Sequence, residues 1–426
     1  SPKLLIGTFP SFFLFLLTRV ELFGASELTA MIRRRKSTYC CIIFFVVVLF
    51  LGYNGYLDVF QRSHLFLLKN EDVHVNPEEQ YLMEHDKYYA LAHKQLSNFK
   101  DVEEWCGTNA EYTGLNMKLP TPEEVADARR KAHVWDELAS RALLITNNFP
   151  WKSTIGLLQR LYQPYFKVTI FCGTFYPELF MAKEGFPDIV TPFNYINVSE
   201  KEMNRGVSAY HCLVRARALQ LDVRGYFVMS DDVTFNFWHP LPLEKVLHPT
   251  GITYEQFVGV WWPSVYGKAA VQRALALITD KYRNDDGVQR MFEIYQNGLS
   301  SNGFKQDAYY QLTQVDGWSI SDLYYVPASM LDYYSRLMNI FYEAGVFHEI
   351  AISKFLYSVP HNRLYDSDYK YLWEDRIKWP ELYHENLVFI HPIKLNFMTD
   401  NYQRAKFCNS VVSTFRDALF GRTTIS

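Results

Sequence analysis

The chain has 426 residues, of which 49% are hydrophobic and 17% aromatic, and its formal net charge is −3. This balance is typical of a globular enzyme and lacks the basic excess of proteins that bind nucleic acids. A nucleic-acid partner is therefore not expected.

The first predicted element is a membrane anchor. A basic cluster at residues 33–36 comes directly before an uncharged apolar run that starts at Tyr39 and extends towards Leu57. A membrane span needs about 20 mainly apolar residues, and flanking positive charge stays cytoplasmic. We therefore predict a cytoplasmic tail at residues 1–37 and a single-pass signal anchor at residues 38–57. The remainder would be lumenal, as in a type II protein of the Golgi or endoplasmic reticulum membrane.

Two alternatives concern this end of the chain. A cleaved signal peptide would have a shorter apolar core and a small-residue cleavage site, and no Ala-x-Ala-like site follows here. Met31 is expected to be the true start, which would make residues 1–30 an artefact. Otherwise the apolar stretch at residues 12–17 is a second membrane-associated segment.

Residues 58–135 are polar, charged and poor in strand patterns, so we predict a stem. Within it Thr121, Pro122 and Glu124 carry the signals of a helix start. They are a capping hydroxyl, a proline at the first helical position and an acid three residues after the cap. A helix from here would lead into a lumenal catalytic domain at residues 136–426.

The chain then alternates between strand and helix patterns. Strands predicted at residues 141–146, 167–172 and 225–231 are separated by helices predicted at residues 153–162 and 208–221. Strands separated by helices imply a largely parallel sheet with helices on its faces. The expected fold class is α/β, a three-layer α/β/α sandwich around a mostly parallel sheet.

Seven further elements are predicted downstream. They are strands at residues 257–263, 322–327 and 387–395, and helices at residues 268–277, 286–297, 330–343 and 346–356. The indoles of Trp261 and Trp262, in the first of these strands, would either wall a sugar pocket or pack in the core.

The strand predicted from Gly225 ends on two adjacent carboxylates, Asp231 and Asp232. Unpaired carboxylates are costly to bury, and open α/β sheets bind ligands at the carboxyl ends of their strands. A divalent cation that carries a phosphate suits such oxygen ligands, so the pair indicates a nucleotide-sugar site. The alternative is a surface turn, because Asp is common in turns.

The cysteines give information about the cellular compartment of the protein. Cys106, Cys172, Cys212 and Cys408 lie in the predicted lumenal part. Four thiols in an oxidising compartment allow up to two disulfides, whose connectivity cannot be read from the sequence. Cys172 is equally explained as a small buried hydrophobe. The tripeptide at residues 197–199 is an N-glycosylation signal, which predicts a surface loop.

Two later elements carry further candidate groups. Glu349 stands near the start of the helix predicted at residues 346–356, where the helix dipole stabilises a carboxylate. The last predicted strand ends on His391, and Lys394 follows shortly after it.

Together these features resemble the GT-A glycosyltransferase plan, in which an apolar strand ends on acids, a Glu starts a later helix and a terminal strand closes on His. The resemblance covers residues 141–400. The local likeness is to the carboxy-terminal transferase half of exostosin-like proteins, whose acidic cluster followed by Val, and Glu-Asp-Ile-Ala at a helix start, look like residues 230–233 and 348–351. The arrangement is also similar to a formerly unknown-function family related to the STELLO glycosyltransferases.

The resemblance implies roles for the candidate residues. Asp232 and His391 would ligate Mn²⁺ or Mg²⁺, and Asp231 would bond the ribose of the donor or ligate through water. Lys394 would neutralise a phosphate. Glu349 would deprotonate the acceptor hydroxyl, or position the acceptor in a retaining enzyme, and the alternative is a glutamate at a helix start without a chemical role.

The sequence also departs from the family pattern. Ser230 stands where the Asp-x-Asp motif has its first acid, and Glu349 lacks the adjacent Asp. Arg205 is a candidate contact to the diphosphate, with ordinary surface charge as the alternative. Asp307 and Asp316 are weaker candidates for donor or acceptor contacts.

The leading hypothesis is a type II membrane enzyme that transfers a sugar from a nucleotide-sugar donor to a glycan or glycoprotein acceptor with a divalent cation. Because both acidic motifs are incomplete, a catalytically silent transferase fold that acts as a scaffold or interaction protein stays open. A metal-dependent hydrolase would require a denser cluster of His and Asp.

Overall fold

The computed structural model of the protein describes most of the chain after residue 76. The described residues are 77–109, 111–112, 118–132, 137–147, 154–174, 185–254, 265–305, 307–314 and 317–421. The predicted tail, the predicted anchor, the strand predicted at residues 257–263 and Asp316 lie outside them. Among the described residues, no helix combines the length and the apolar character that crossing a membrane requires. Nearly all of these residues belong to one compact unit, Tyr81–Ser426.

Two sheets contain the described strands. In chain order the strands are β1 (Ala142–Thr146), β2 (Val168–Gly173), β3 (Asn194–Asn197), β4 (Gly225–Ser230), β5 (Thr234–Phe235), β6 (Val246–Leu247), β7 (Leu323–Pro327), β8 (His361–Asn362), β9 (Tyr369–Tyr371) and β10 (Phe389–His391). The larger sheet has the order β3-β2-β1-β4-β7-β6-β8, and the smaller has the order β5-β10-β9. In the larger sheet only β7 is antiparallel to its neighbours, so the predicted mostly parallel sheet is confirmed.

The described α-helices alternate with these strands and then follow them. They are α1 (Pro77–Gly107), α2 (Pro122–Ala132), α3 (Ile155–Tyr162), α4 (Glu200–Met203), α5 (His211–Arg217), α6 (Val265–Ala276), α7 (Asp286–Ser301), α8 (Ala308–Thr313), α9 (Leu331–Ala344), α10 (His348–Tyr357), α11 (Trp379–Leu382), α12 (Asn401–Phe407) and α13 (Ser413–Phe420).

Helices cover both faces of the larger sheet. Successive side chains of a strand point to opposite faces, and the central strand β4 is buried on both. Tyr226 and Val228 belong to a core that includes residues of α5, α9 and α10. Phe227 and Met229 belong to a second core that includes residues of α1, α3, α12 and α13. The apolar run of β4 therefore reflects burial between two helical layers.

The helix-start signals before α2 act as the sequence predicts. The backbone N–H of Glu124 donates to the Thr121 hydroxyl over 3.3 Å, and the backbone N–H of Thr121 donates to the Glu124 carboxylate over 2.8 Å. Such a reciprocal pair satisfies backbone donors that the first helical turn leaves free. The capping box is therefore confirmed.

The strand predicted at residues 387–395 is shorter in the structure. Only the three residues of β10 pair, antiparallel to β5 and parallel to β9. Pro392 follows immediately, and proline has no backbone N–H to continue a ladder. The end of β10 is thus set at His391.

Part of the predicted stem packs into the second core. Phe99, Val102 and Trp105 recur at helical spacing along α1 and are buried with residues of α3 and α12. The boundary predicted at residue 135 therefore lies within the packed unit and not at its edge. The polar residues between these positions gave the segment its stem-like composition.

The four cysteines form two disulfides, Cys106–Cys408 and Cys172–Cys212. The first joins the end of α1 to the residue after α12, and the second joins β2 to α5. The capacity for two disulfides was expected, whereas their pairing required the fold. Asn197, the predicted glycosylation site, is exposed and ends the edge strand β3 instead of lying in a loop.

The two disulfides allow a matched comparison of stability. Replacing Cys106 and Cys408 by Ala is expected to lower the free energy of unfolding by about 2 kcal/mol more than the same change at Cys172 and Cys212. The reason is that a disulfide restricts the unfolded chain more when it closes a longer loop, and the separations are 302 and 40 residues.

All four cysteines are buried, so both double variants remove similar contacts. Urea unfolding of the purified full chain, followed by circular dichroism, measures the difference. An equal loss in the two variants would contradict the expectation.

Candidate functional site

The two adjacent acids form a turn that connects β4 of the larger sheet to β5 of the smaller sheet. Asp231 and Asp232 follow the end of β4 and precede β5, and the backbone N–H of Asp231 donates to the Thr146 carbonyl at the end of β1 over 2.9 Å. Their carboxylates have different partners. Asp231 accepts a hydrogen bond of 2.9 Å from the Asn147 side-chain amide, whereas Asp232 contacts residues of the other sheet.

Asp232 belongs to a cluster with Asp322 and His391. His391 Nε2 lies 3.2 Å from Asp232 Oδ1 and 3.2 Å from Asp322 Oδ1. One ligand atom from each of the three residues falls within 4.8 Å of the other two. The structure thus brings together Asp232 and His391, which are 159 positions apart in the chain, and adds Asp322 to them.

The segment after β10 fixes the position of Asp232. The backbone N–H of Ile393 donates to the Asp232 carbonyl over 2.7 Å. The Lys394 ammonium donates to the Asp232 carboxylate at oxygen Oδ2. Asp232 is only 6% exposed, so these contacts replace the water that a carboxylate needs. Lys394, predicted as a phosphate ligand, therefore lies at the same carboxylate as His391.

Asp322 was not among the residues predicted from the sequence. It directly precedes β7, and a residue before a strand belongs to the ligand-binding edge only when that strand runs against its neighbours. Met229 of β4 pairs with Leu323 of β7 in antiparallel register, and the Ser230 N–H donates to the Asp322 carbonyl over 2.8 Å. The sequence signal for Asp322 is a carboxylate just before an apolar strand. This signal identifies a site residue only if β7 is recognised as antiparallel.

The charges of the cluster shift one another's pKa. Burial favours neutral groups, but His391 and Lys394 outweigh it at Asp232 and hold the pKa of that carboxyl below its usual range. At Asp322 burial prevails and raises the pKa. Burial also opposes a charged imidazole, but the two carboxylates outweigh it and raise the pKa of His391. Burial and the charge of Asp232 raise the pKa of Asp231.

Two pockets border the cluster among the described residues. The larger, about 920 Å³, is lined by Asn147, Asp231, Asp232 and Lys394 together with apolar side chains of residues 377–398. The smaller, about 140 Å³, is lined by Asp322, Glu349 and His391 together with aromatic side chains. Arg376 and Pro392 line both pockets. The acidic cluster therefore lies where the two pockets approach each other.

Glu349 lies in the first turn of α10, as predicted, and lines the smaller pocket. Its Oε2 atom is buried and has no hydrogen-bond partner among the described residues. Burial and the nearby Asp322 charge raise its pKa well above the usual value. A buried carboxyl oxygen without a partner is costly, and such groups concentrate at functional sites.

Arg205 and Asp307 lie elsewhere. Arg205 is exposed in a left-handed backbone conformation with φ of 54° after α4, and it lines neither pocket. Its predicted contact with a diphosphate stays a prediction. Asp307 caps α8 by accepting a hydrogen bond of 2.8 Å from the Tyr310 N–H, which explains its presence without a ligand.

Two buried histidines hold the segment that carries Asp322. His348 Nδ1 accepts a hydrogen bond from the Tyr210 N–H over 3.1 Å, so its Nε2 carries the proton and donates to the Ser321 carbonyl over 3.2 Å. Burial lowers the pKa of His348 to about 4. His248 Nε2 contacts the Ser321 hydroxyl over 3.4 Å. Ser321 and therefore Asp322 are positioned by neutral imidazoles.

The fold and the site define an α/β protein with a ligand-binding crevice at the carboxyl ends of its parallel strands. Residues 73–323 match the family model of the STELLO glycosyltransferases. The match covers more than half of the chain, and the chain belongs to this family. No curated protein and no solved structure shows significant similarity to it. Glu349, His391 and Lys394 lie beyond the matched range, and only the tertiary structure brings His391 and Lys394 to Asp232 and Glu349 to the pocket that Asp322 lines.

The buried imidazole of His348 predicts a pH dependence of stability. The pKa of such a histidine is lower in the folded chain than in the unfolded chain. When the pH falls below the pKa of the unfolded chain, the unfolded chain binds the proton better, and the free energy of unfolding decreases. The His348→Gln variant keeps one acceptor and one donor but does not titrate. When the pH is lowered from 6.5 to 5, the free energy of unfolding is expected to fall in both proteins. The fall in the variant is expected to be smaller than that in the wild type by on the order of 1–2 kcal/mol.

Urea unfolding at the two pH values measures this difference. His384→Gln, at an exposed histidine, is the control for the substitution itself. Parallel losses in wild type and His348→Gln would show that His348 is not the titrating group.

Proposed function

We propose that this member of the family is a divalent-cation-dependent enzyme that transfers a sugar from a nucleotide-sugar donor to a glycan or glycoprotein acceptor. The observation that carries the proposal is the cluster of Asp232, Asp322 and His391, whose ligand atoms lie within 4.8 Å of one another beside a pocket of about 920 Å³. Family membership supplies the reaction class, and the cluster supplies a place for the leaving group.

The donor set fits a divalent cation. Two carboxylate oxygens and one imidazole nitrogen suit Mn²⁺, while Mg²⁺ prefers oxygen ligands and keeps several waters. Burial, and to a smaller extent the charge of Asp232, raises the pKa values of Asp231 and Asp322, and a bound cation would favour the ionised form of both carboxyls. A cation held by Asp232, Asp322 and His391 would stabilise the negative charge that develops on a nucleoside-diphosphate leaving group.

The larger pocket is proposed to hold the donor nucleotide. Its volume is in the range of pockets that bind ligands of this size. Lys394 and Arg376 line it and provide positive charge for a diphosphate. Asp231, which accepts a hydrogen bond from the Asn147 amide, would bind the ribose hydroxyls or a water molecule that ligates the cation. Since the crevice lies at the carboxyl ends of β1 and β4, a GT-A-like arrangement is the fold plan that we propose.

Glu349 is proposed to act on the acceptor. Its buried oxygen has no described protein partner and lines the smaller pocket on the Asp322 side of the cluster. A carboxyl whose pKa is raised well above its usual value binds a proton more strongly and is therefore suited to accept one from a hydroxyl. In an inverting enzyme Glu349 would be the base, and in a retaining enzyme it would position the acceptor.

We also propose that the enzyme acts in the lumen of the Golgi or endoplasmic reticulum, anchored through residues 38–57. Disulfides form and persist in oxidising compartments, and the structure has two. The exposed Asn197 is accessible to glycosylation. These two observations support the lumenal assignment.

The first test concerns the cation. Asp232→Asn and Asp322→Asn each remove a charge at nearly constant volume, so both are expected to weaken Mn²⁺-dependent binding of nucleoside diphosphates by about 100-fold or more while the fold is kept. The measurement is the thermal shift of the full chain with Mn²⁺ and each common nucleoside diphosphate, with and without EDTA.

Asp286→Asn, at an exposed position in the first turn of α7, is the matched control. If the wild type shows no cation-dependent shift with any nucleotide, the proposed cation-dependent transfer is refuted and a catalytically silent scaffold is favoured. Unchanged affinity in both site variants would remove the cluster from the mechanism.

The second test concerns Glu349. Glu349→Gln is expected to leave donor binding unchanged and to lower turnover by roughly 100-fold, because the amide cannot accept the proton. Release of the nucleoside diphosphate from the donor measures turnover, and the thermal shift measures binding. Wild-type turnover in this variant would exclude Glu349 as the base.

A further inference from the structure

The smaller pocket has a composition different from that of the larger one. Its volume of about 140 Å³ equals the space of roughly five water molecules. Besides Asp322, Glu349 and His391, it is lined by Trp318, Tyr371 and Trp373. A space of this size admits one six-membered sugar ring and is too small for a nucleotide.

The three aromatic rings form one continuous wall. The Tyr371 and Trp373 rings stack with centroids 6.0 Å apart and an interplanar angle of 25°. Trp318 meets Trp373 edge to face at 6.4 Å. Trp318 is 6% exposed whereas Trp373 is 51% exposed. Trp373 therefore presents part of its indole surface to solvent beside the pocket.

The polar groups of the pocket lie on the side of the cluster. Glu349 contributes a buried carboxyl oxygen without a described partner, and Asp322 contributes a carboxylate. The Tyr371 hydroxyl already donates to the Ile320 carbonyl over 3.2 Å. The pocket thus offers hydrogen-bond acceptors on one side and an aromatic surface on another.

We propose that the smaller pocket is a subsite for a single uncharged sugar ring, with Trp373 as the surface on which the ring packs and Glu349 as the acceptor for one of its hydroxyls. A pyranose has an apolar C–H face and a rim of hydroxyl donors, which match an aromatic wall and carboxyl oxygens. The inference rests on the proposed function and names the substrate class at that site.

The charges set the specificity. Asp322 and Glu349 both line the pocket, and the His391 imidazole is already engaged, with its Nε2 3.2 Å from both Asp232 and Asp322, so a sugar that carries a carboxylate would not find a free counter-charge on this side. Arg376 is exposed and lines the larger pocket as well, where a diphosphate would compete for it. Uncharged glycosides are therefore expected to bind better than glucuronides.

The experiment measures binding of methyl glycosides of glucose, galactose, mannose, N-acetylglucosamine and glucuronate to the full chain by saturation-transfer NMR. Trp373→Ala is expected to weaken the best-bound uncharged glycoside about tenfold, and Trp373→Phe, which keeps an aromatic face, is expected to weaken it less than threefold. Tyr365→Ala, at an 81% exposed ring that lines neither pocket, is the matched control and leaves binding unchanged.

Binding of the nucleoside diphosphates UDP and GDP is measured in parallel and is expected to be the same in wild type and Trp373→Ala. A wild type that binds no nucleotide refutes the proposed function, and the glycoside measurement still decides the subsite. The subsite is overturned if no glycoside binds, if Trp373→Ala binds as the wild type does, or if the glucuronide binds best.

The source of the sugar is decided by a further comparison. If Trp373→Ala weakens nucleotide-sugar binding but not nucleoside-diphosphate binding, the ring is that of the donor. If it weakens only the free glycosides, the ring is that of the acceptor. Both results support a sugar subsite.

Discussion

The antiparallel pairing of β4 with β7 is the constraint on which the site depends. Because Met229 pairs with Leu323, the start of β7 lies at the same edge of the sheet as the end of β4. Asp322 is thereby placed beside the Asp231–Asp232 turn, and the negative charge at this edge requires compensation that water cannot provide in a buried position. His391 at the end of β10 and Lys394 in the segment after it supply this compensation.

The site is therefore a property of both sheets. The acidic turn connects β4 to β5, and β5 pairs with β10, so the ladder of the smaller sheet delivers His391 to the carboxylate of Asp232. The hydrogen bond from the Ile393 N–H to the Asp232 carbonyl also holds the segment after β10 against the acidic turn. The range shared with the STELLO family contributes the three aspartates, and the segment beyond it contributes the imidazole, the ammonium and Glu349.

Adjacent acids acquire different properties through their partners. Asp231 is held by a neutral amide and has a raised pKa, whereas Asp232 contacts two cationic groups and has a lowered one. Environments that separate the pKa values of neighbouring carboxyls are a common way in which a site assigns different roles to identical side chains. The same edge also carries a large pocket and a small aromatic one, so the proposed nucleotide and sugar ring would have distinct places.

The sequence by itself determined the α/β class, the principal strands and helices, and the positions of Asp231, Asp232, Glu349 and His391 at the ends of elements. These follow from local periodicity, capping and strand length, which depend on near neighbours in the chain. Only the tertiary structure decided the disulfide pairing, the burial of Phe99 and Trp105 within the predicted stem, and the presence of Asp322 and Arg376 at the site. Each of these depends on the direction of a strand or on contacts between distant segments, and neither is encoded in a local pattern.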